Sequence, residues 1–264
     1  MTKYKKPLLV NEQTKYLKDN KRITFNNISE LNAQNILLNY NYINVISPFK
    51  YNFARKDKGG SVIKINNKHV YDRDVEFSEY IDLYFNERKK YPTIYKNISE
   101  FETIFNALVS YYAITTYNIE DSNKFEKFID ILKLNLVNKS YNQSVKNHII
   151  EDLNNIYKDM NDFDDIYILL DRLTFNKTIA IYKCFEDELM EKIFNKMKSY
   201  NCVFNYTRFT NFVEILQKMV MIRNYVYHNN SLTILVRYSD IKNKTLRKDT
   251  DRKKYLTLIR KLSI

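Results

Sequence analysis

Residues 94–117 read IYKNISEFETIFNALVSYYAITTY. Apolar residues recur there every three to four positions, which predicts one long helix that is central to the core. The whole chain of 264 residues has 2 Gly and 3 Pro, although 44% of it is hydrophobic. Sandwiches and barrels need many tight turns, which Gly and Pro normally supply. The sequence therefore predicts a mostly α fold.

The same helical periodicity continues on both sides of this stretch. Asn11 is a candidate N-cap for the first helix, and Pro48 interrupts the third. We see no internal repeat and no linker, so we expect residues 1–264 to form a single helical domain. Further helices are predicted at residues 7–19, 28–40, 44–53, 76–91, 122–137, 144–160, 162–172, 174–200, 207–227 and 250–262.

One segment departs from the helical pattern. SVIKI and KHVY alternate apolar and polar residues on either side of Asn66-Asn67, and Gly59-Gly60 precedes them. This arrangement is typical of a small β-hairpin, predicted as an insertion over residues 58–72. His69 falls on its second strand, where we interpret it as a packing residue.

Several classes of protein are disfavoured by the sequence. Cys184 and Cys202 form no CxxC pair, and there is no Cys/His cluster, so we expect no metal, no cofactor and a reducing compartment. MTKYKKPLLVNEQ lacks the apolar core of a signal peptide, and no stretch reaches the ~18 apolar residues of a membrane span. We expect a soluble, cytoplasmic protein with no membrane partner.

The formal net charge is +12, which favours a polyanionic partner such as RNA. Basic residues cluster in two places, within the hairpin region and in the C-terminal segment 237–264. Solvated helix faces are the alternative interpretation of each cluster. The candidate RNA-binding residues are Arg55, Lys56, Lys58, Lys242, Lys244, Arg247, Lys248, Arg252, Lys253 and Lys254, with Tyr225 and Tyr227 as candidates for base stacking.

The most informative motif is MIRNYVYHN at residues 221–229, which ends an apolar helix. Arg223, Asn224 and His228 lie within six residues there. Arg223 and His228 are five apart, about 140° around a helix at ~100° per residue, so they converge only where the helix ends or a second copy faces the first. A purely structural role for the pair is the alternative.

RNA hydrolysis makes this set of residues chemically sensible. The 2′-hydroxyl attacks its own phosphate, and a histidine titrating near neutrality moves the protons. A guanidinium stabilises the charge that develops on the phosphate oxygens, and an asparagine orients the histidine or binds phosphate. The expected products are a 2′,3′-cyclic phosphate and a 5′-hydroxyl. Arg223, Asn224 and His228 are therefore the candidate catalytic residues.

RNYVYH resembles the Arg-polar-x3-His motif of HEPN domains, the helical ribonuclease fold of many bacterial defence toxins. Three other stretches resemble Abi-like abortive-infection proteins of the AbiD/AbiF kind, so the resemblance spans most of the chain. These stretches are KKPLLVNEQTKYLKDNKRITF, NAQNILLNYNYINVISPFKYNF and FSEYIDLYFNERKKYPTIYKNISEFE.

The resemblance implies a HEPN-like helical bundle with additional N-terminal helices. It implies that Arg223 and His228 are catalytic and that Asn224 supports them. Glu102 stands where the family places a glutamate on its first long helix, but Phe105-Asn106-Ala107 follows in place of the family's basic residue. HEPN nucleases pair two motifs, and this chain has one, so the resemblance implies a homodimer. Some relatives partner a structured noncoding RNA.

Three functional hypotheses follow. The first is a metal-independent endoribonuclease toxin of phage defence. The second is a non-cleaving HEPN-like RNA-binding protein that forms a ribonucleoprotein with a noncoding RNA. The third is a helical interaction protein or DNA-binding regulator, which the lack of a helix-turn-helix signature with a Gly-containing turn disfavours.

Overall fold

The computed structural model describes residues 8–59, 62–65, 68–160, 165–200, 207–236 and 248–264. Most of these residues are helical, which confirms the predicted mostly α fold. The helices are α1 (Val10–Lys21), α2 (Glu30–Tyr40), α3 (Tyr42–Val45), α4 (Lys50–Phe53), α5 (Phe77–Arg88), α6 (Tyr91–Tyr117), α7 (Ser122–Val137), α8 (Gln143–Asp159), α9 (Ile166–Asp171), α10 (Phe175–Cys184), α11 (Asp187–Tyr200), α12 (Phe209–Tyr227) and α13 (Lys248–Leu262).

Two short strand pairs accompany the helices. Strand β2 (Lys64–Ile65) pairs with β3 (Lys68–His69) antiparallel, so the predicted hairpin is confirmed with shorter strands than its pattern indicates. The ring of His69 packs against Tyr51 at 4.8 Å between centroids. Strand β1 (Ile23–Thr24) pairs with β4 (Val75–Glu76) in parallel. That pair was not predicted, because two residues are too few to show an alternation.

Two predictions about helix ends are wrong. The helix predicted over 174–200 is interrupted after Cys184, because Phe185 is extended and its side chain is fully buried. The acidic first turn of α11 suits the positive end of a new helix. Asn11 does not cap α1 either. The N-cap is Leu9, and its backbone N–H donates to the Glu12 carboxylate at 2.7 Å.

Contacts divide the chain into two compact units. The first comprises Met1–Pro92 and Tyr225–Leu256, and the second comprises Thr93–Asn224 and Thr257–Ile264. The prediction of a single domain over 1–264 stays a prediction. The core of the first unit is built from α1 to α5 and the parallel strands, with the buried residues Leu17, Ile23, Leu37, Val45, Phe77, Tyr80 and Tyr84 at its centre.

An aromatic cluster forms the core of the second unit. Phe101 and Phe105 of α6 lie one helical turn apart, fully buried, with their rings stacked at 6.0 Å. Around them pack Phe175 and Tyr182 of α10 and Phe212 of α12, at ring separations of 5.3–6.5 Å. Burying each such ring contributes about 1.5–3 kcal/mol. This cluster therefore fixes α6 against the helix that carries the motif.

No helix in the described part of the chain is long and apolar enough to cross a membrane.

Replacing Phe105 by alanine removes the ring that contacts the four others in this cluster. We expect the free energy of unfolding to fall by about 3–5 kcal/mol, because the cavity lies where the surroundings cannot collapse. Denaturant titration followed by circular dichroism measures this loss. Tyr111→Ala is the control on the same helix, because Tyr111 is 60% exposed. An equal loss in both variants would contradict the placement of this core.

Candidate functional site

The motif helix α12 ends in a specific turn. Tyr227 is its last residue, and Asn229 adopts a left-handed backbone with φ 52°. The N–H of Asn229 donates to the Val226 carbonyl, and the N–H of Asn230 donates to the Tyr225 carbonyl at 2.7 Å. This pair of bonds is the Schellman motif. Asparagine tolerates a positive φ better than most residues, so YHNN ends the helix immediately after His228.

Residues of α5 and α6 hold the chain just after this turn. Arg88 donates from Nη2 to the carbonyl of Asn229 at 3.0 Å, and its guanidinium lies over the Tyr84 ring at 3.6 Å. The Tyr91 hydroxyl donates to the carbonyl of Asn230 at 2.6 Å and accepts from the N–H of Leu232. Burial raises the pKa of Tyr91, so this hydroxyl remains protonated and able to donate.

Glu87 completes this arrangement. Its Oε1 accepts from the backbone N–H and the hydroxyl of Thr233, at 2.8 and 2.7 Å, and from the Ser231 hydroxyl at 3.2 Å. Residues 232–236 are helical, so the carboxylate binds the positive end of that turn. We name Glu87, Arg88 and Tyr91 the polar clamp. The clamp fixes the segment that follows His228.

In the second unit, Arg223 pairs with Glu102 of α6. Arg223 Nε lies 3.0 Å from Glu102 Oε2, and the two side chains are 31% and 14% exposed. Within the described residues the Nη1 and Nη2 nitrogens of Arg223 make no hydrogen bond. The contact holds the guanidinium by its Nε edge and leaves the Nη nitrogens available for a phosphate.

Opposing effects act on the pKa of the Glu102 carboxyl. Burial raises its pKa, while Arg223 and the backbone N–H of Phe175, at the start of α10, act in the opposite direction. The raised pKa favours the protonated carboxyl, whereas the ion pair at 3.0 Å favours the ionised carboxylate. Geometry decides in favour of an ionised pair near neutrality, with part of its attraction cancelled by lost hydration.

The remaining motif residues are open to solvent. Asn224 is exposed in the second unit, and His228 is exposed in the first. The imidazole of His228 meets the Tyr227 ring edge-to-face at 5.2 Å, and Tyr227 is 69% exposed. Tyr225 is half-buried. A buried His228 would have excluded acid–base chemistry, and the exposed imidazole leaves that chemistry available.

The basic candidates divide by position. Arg55, Lys56 and Lys58 are exposed in the first unit, and Arg55 lies 3.4 Å from Asp72. Exposed residues of α13 include Arg252, Lys253 and Lys254. Lys248 begins α13. Three further predicted residues, Lys242, Lys244 and Arg247, lie outside the described residues.

Sequence reasoning missed the polar clamp. Glu87, Arg88 and Tyr91 stand together in NERKKY, a stretch quoted above only for its family resemblance. The sequence offered no signal for it, because the burial of these side chains, which requires partners for their charges, is visible only in the structure. Their partners are about 140 residues away in the chain, at Asn229 to Thr233.

Among the residues that the structure describes, no group of three or more His, Cys, Asp or Glu side chains is arranged to hold a metal ion.

Replacing Tyr91 by phenylalanine removes the hydroxyl but keeps the ring. The Asn230 carbonyl and the Leu232 N–H then lose their partner, so we expect about 1–2 kcal/mol less free energy of unfolding. Tyr111→Phe, at an exposed position of the same helix, should change it by less than about 0.5 kcal/mol. Chemical denaturation of both variants is the measurement, and equal values would contradict the clamp.

Replacing Glu102 by glutamine tests the raised pKa. A carboxyl whose pKa is higher in the folded state gives up stability as the pH rises from below 4.5 through its folded value. The free energy of unfolding of the wild type, minus that of Glu102→Gln, should therefore be smaller at pH 7 than at pH 4. Glu100→Gln is the control, because Glu100 is an exposed residue of the same helix. A difference that grows with pH would contradict the shift.

A comparison with models of protein families identifies the family of this chain. The family model described as Abi-like protein matches residues 35–233, more than half of the chain and all of the clamp and motif residues. No curated protein and no solved structure matches the chain. The chain therefore belongs to the family of Abi-like proteins, which are associated with abortive infection as a defence against phage.

Proposed function

We propose that this protein is a metal-independent endoribonuclease of the HEPN type, acting as a toxin in abortive infection. One observation carries the proposal: the motif helix presents a guanidinium held by a carboxylate, with its Nη nitrogens unbonded in the described residues, and ends at an exposed imidazole. A structural arginine at this half-buried position would be expected to bond its Nη nitrogens internally as well.

The chemistry assigns one role to each residue. His228 takes the proton from the 2′-hydroxyl or gives one to the leaving 5′-oxygen, because a ring nitrogen of histidine can accept or donate a proton. Arg223 binds the non-bridging phosphate oxygens through its Nη nitrogens as negative charge develops on them. Asn224, exposed beside Arg223 in sequence, contributes an amide to the phosphate or to the histidine.

The polar clamp supports this chemistry in the proposal. A catalytic imidazole must stay within a fraction of an ångström of its working position. His228 is the last residue before the turn whose carbonyls bind Arg88 and Tyr91. The clamp holds that turn in one place, so the position of His228 does not depend on a mobile loop.

A homodimer is part of the same proposal. HEPN nucleases, which the motif resembles, combine two Arg-His motifs, and this sequence contains one convincing copy. Two protomers related by a twofold axis supply two motifs to one site. The exposed side chains of Asn224, Tyr227 and His228 are compatible with such a surface.

The net charge of +12 favours a second candidate function. A non-cleaving protein that forms a ribonucleoprotein with a structured noncoding RNA needs an extended basic surface and no catalytic residues. The exposed residues Arg55, Lys56, Lys58, Arg252 and Lys253 supply part of one. In this alternative, RNA co-purifies with the protein and the motif is silent.

Purified protein should cleave single-stranded RNA in the presence of EDTA and leave 2′,3′-cyclic phosphate ends. Replacing His228 by alanine, or Arg223 by alanine, should each lower the rate by about 100-fold or more, because each removes proton transfer or charge stabilisation. Gel assays with end analysis give the rate and the product. Lys127→Ala is the control, since Lys127 is an exposed cationic residue of α7 outside the motif.

Two results separate the alternatives. Cleavage that survives in both Ala variants would place the activity elsewhere and contradict the site. RNA that co-purifies with wild type and His228→Ala alike, with no cleavage by either, would support the ribonucleoprotein. Toxicity on expression that disappears in His228→Ala supports the nuclease.

A further inference from the structure

A cavity of about 240 Å³ lies in the second unit, and its lining includes neither Arg223 nor His228. Three helices of that unit, α8, α10 and α12, line it. Its lining residues are Val145, His148, Ile149, Asp152, Asn176, Ile179, Ala180, Lys183 and Gln217. Cavities that bind drug-sized ligands measure about 300–1,000 Å³, so this one suits a smaller group, the size of one ring system.

Lys183 is the unusual residue of this cavity. The residue is 7% exposed, and within the described residues its Nζ makes no hydrogen bond and no ion pair within 4 Å, although this atom itself is not sealed from solvent. Buried lysines normally have such a partner. Burial lowers the pKa of its ammonium, and the nearby Cys184 and Asp152 offset only part of this. A ligand with an acceptor oxygen would supply the missing partner.

Three further polar residues of the lining could also bind a ligand. Asp152 is half-buried, Asn176 and Gln217 are exposed, and none of the three makes a hydrogen bond in the part of the chain that the structure describes. Burial raises the pKa of Asp152, with Glu151 adding to the effect and Lys183 opposing it. The lining therefore offers one strong donor, one strong acceptor and two amides, which are each donor and acceptor.

The charges exclude a simple inorganic anion as the natural occupant. A phosphate that bound Lys183 would lie in the same small cavity as the Asp152 carboxylate and would be repelled by it. A neutral ring that carries a carbonyl beside an N–H satisfies both groups. The carbonyl accepts from Lys183 and the N–H donates to Asp152, while the apolar side chains of Ile149, Ile179 and Val145 pack on the faces of the ring.

We propose that the cavity between α8, α10 and α12 binds a nucleobase with such a lactam edge, guanine or uracil, through Lys183 and Asp152. Adenine has no ring carbonyl and cytosine has no ring N–H, so neither satisfies both groups. The base comes from a free nucleotide or from single-stranded RNA. In the RNA case this proposal extends the proposed function, with the cavity setting which nucleotide is preferred.

Calorimetric titration of the full chain tests the proposal. The probes are GMP, UMP, AMP, CMP and inorganic phosphate, and the RNA probes are short oligo(U) and oligo(A). All titrations use the His228→Ala background, so that RNA stays intact and a failure of the cleavage proposal leaves this test unaffected. GMP or UMP should bind at least tenfold more tightly than AMP and CMP.

Lys183→Met should weaken that binding at least tenfold, which corresponds to about 1.4 kcal/mol. Methionine keeps an unbranched side chain one atom shorter than that of lysine and adds no buried charge, so folding is preserved, and circular dichroism verifies it. Asp152→Asn should reduce the discrimination between bases without unfolding the chain. Lys127→Met, at an exposed position of α7, is the matched control and should change nothing.

Each outcome decides the matter. Lys183-dependent binding of GMP or UMP supports the proposal with a free nucleotide as ligand. Binding of oligo(U) over oligo(A) that needs Lys183, without binding of free nucleotides, supports RNA as the source. The proposal is overturned by equal affinity for all four nucleotides or by no binding of any probe. It is also overturned if inorganic phosphate by itself displaces the bound nucleotide, or if Lys183→Met has no effect on binding.

Discussion

Burial of one face of α6 is the constraint on which the second unit depends. Phe101 and Phe105 occupy the core, where rings from α10 and α12 surround them. Glu102 lies between these two anchors on the same helix, so its position follows from theirs. Because α12 packs on the same cluster through Phe212, the aromatic core also fixes the helix that carries Arg223. The Glu102–Arg223 contact at 3.0 Å is thus a consequence of apolar packing.

A different kind of interaction fixes the far end of the motif. After the Schellman turn, the backbone of Asn229 to Thr233 has its carbonyls and amides bound by Glu87, Arg88 and Tyr91. Short irregular segments rarely hold one conformation through apolar packing, because they bury little surface. Charged and phenolic groups that are themselves largely buried replace that packing here. Hydrogen bonds in such surroundings are strong, and their geometry leaves little freedom to the residues between them.

Each of the two proposals involves a charged residue that is at least partly buried. Glu102 has a raised pKa beside Arg223, and Lys183 has a lowered pKa beside its cavity. In both cases burial is the largest cause, and opposite charges offset it in part. Natural cores seldom retain such groups without a partner, since replacing them by apolar residues is usually neutral or stabilising. Glu102 has such a partner in Arg223, whereas Lys183 has none among the described residues, so it is the environment of Lys183 that a ligand would complete.

The sequence by itself determined the helical class and the hairpin, and it singled out Arg223, Asn224 and His228 as candidates, because helical periodicity and side-chain chemistry are local properties. It also indicated the family, most specifically through IYKNISEFE and RNYVYH. Only the tertiary structure showed that Glu102 contacts Arg223, that the polar clamp binds residues about 140 positions away, and that Lys183 is buried without a partner in the described chain. Periodicity specifies which face of a helix is apolar, but not which distant backbone or charge meets it. The break at Phe185 has the same origin, since burial of that ring overrides a local pattern that favours one continuous helix.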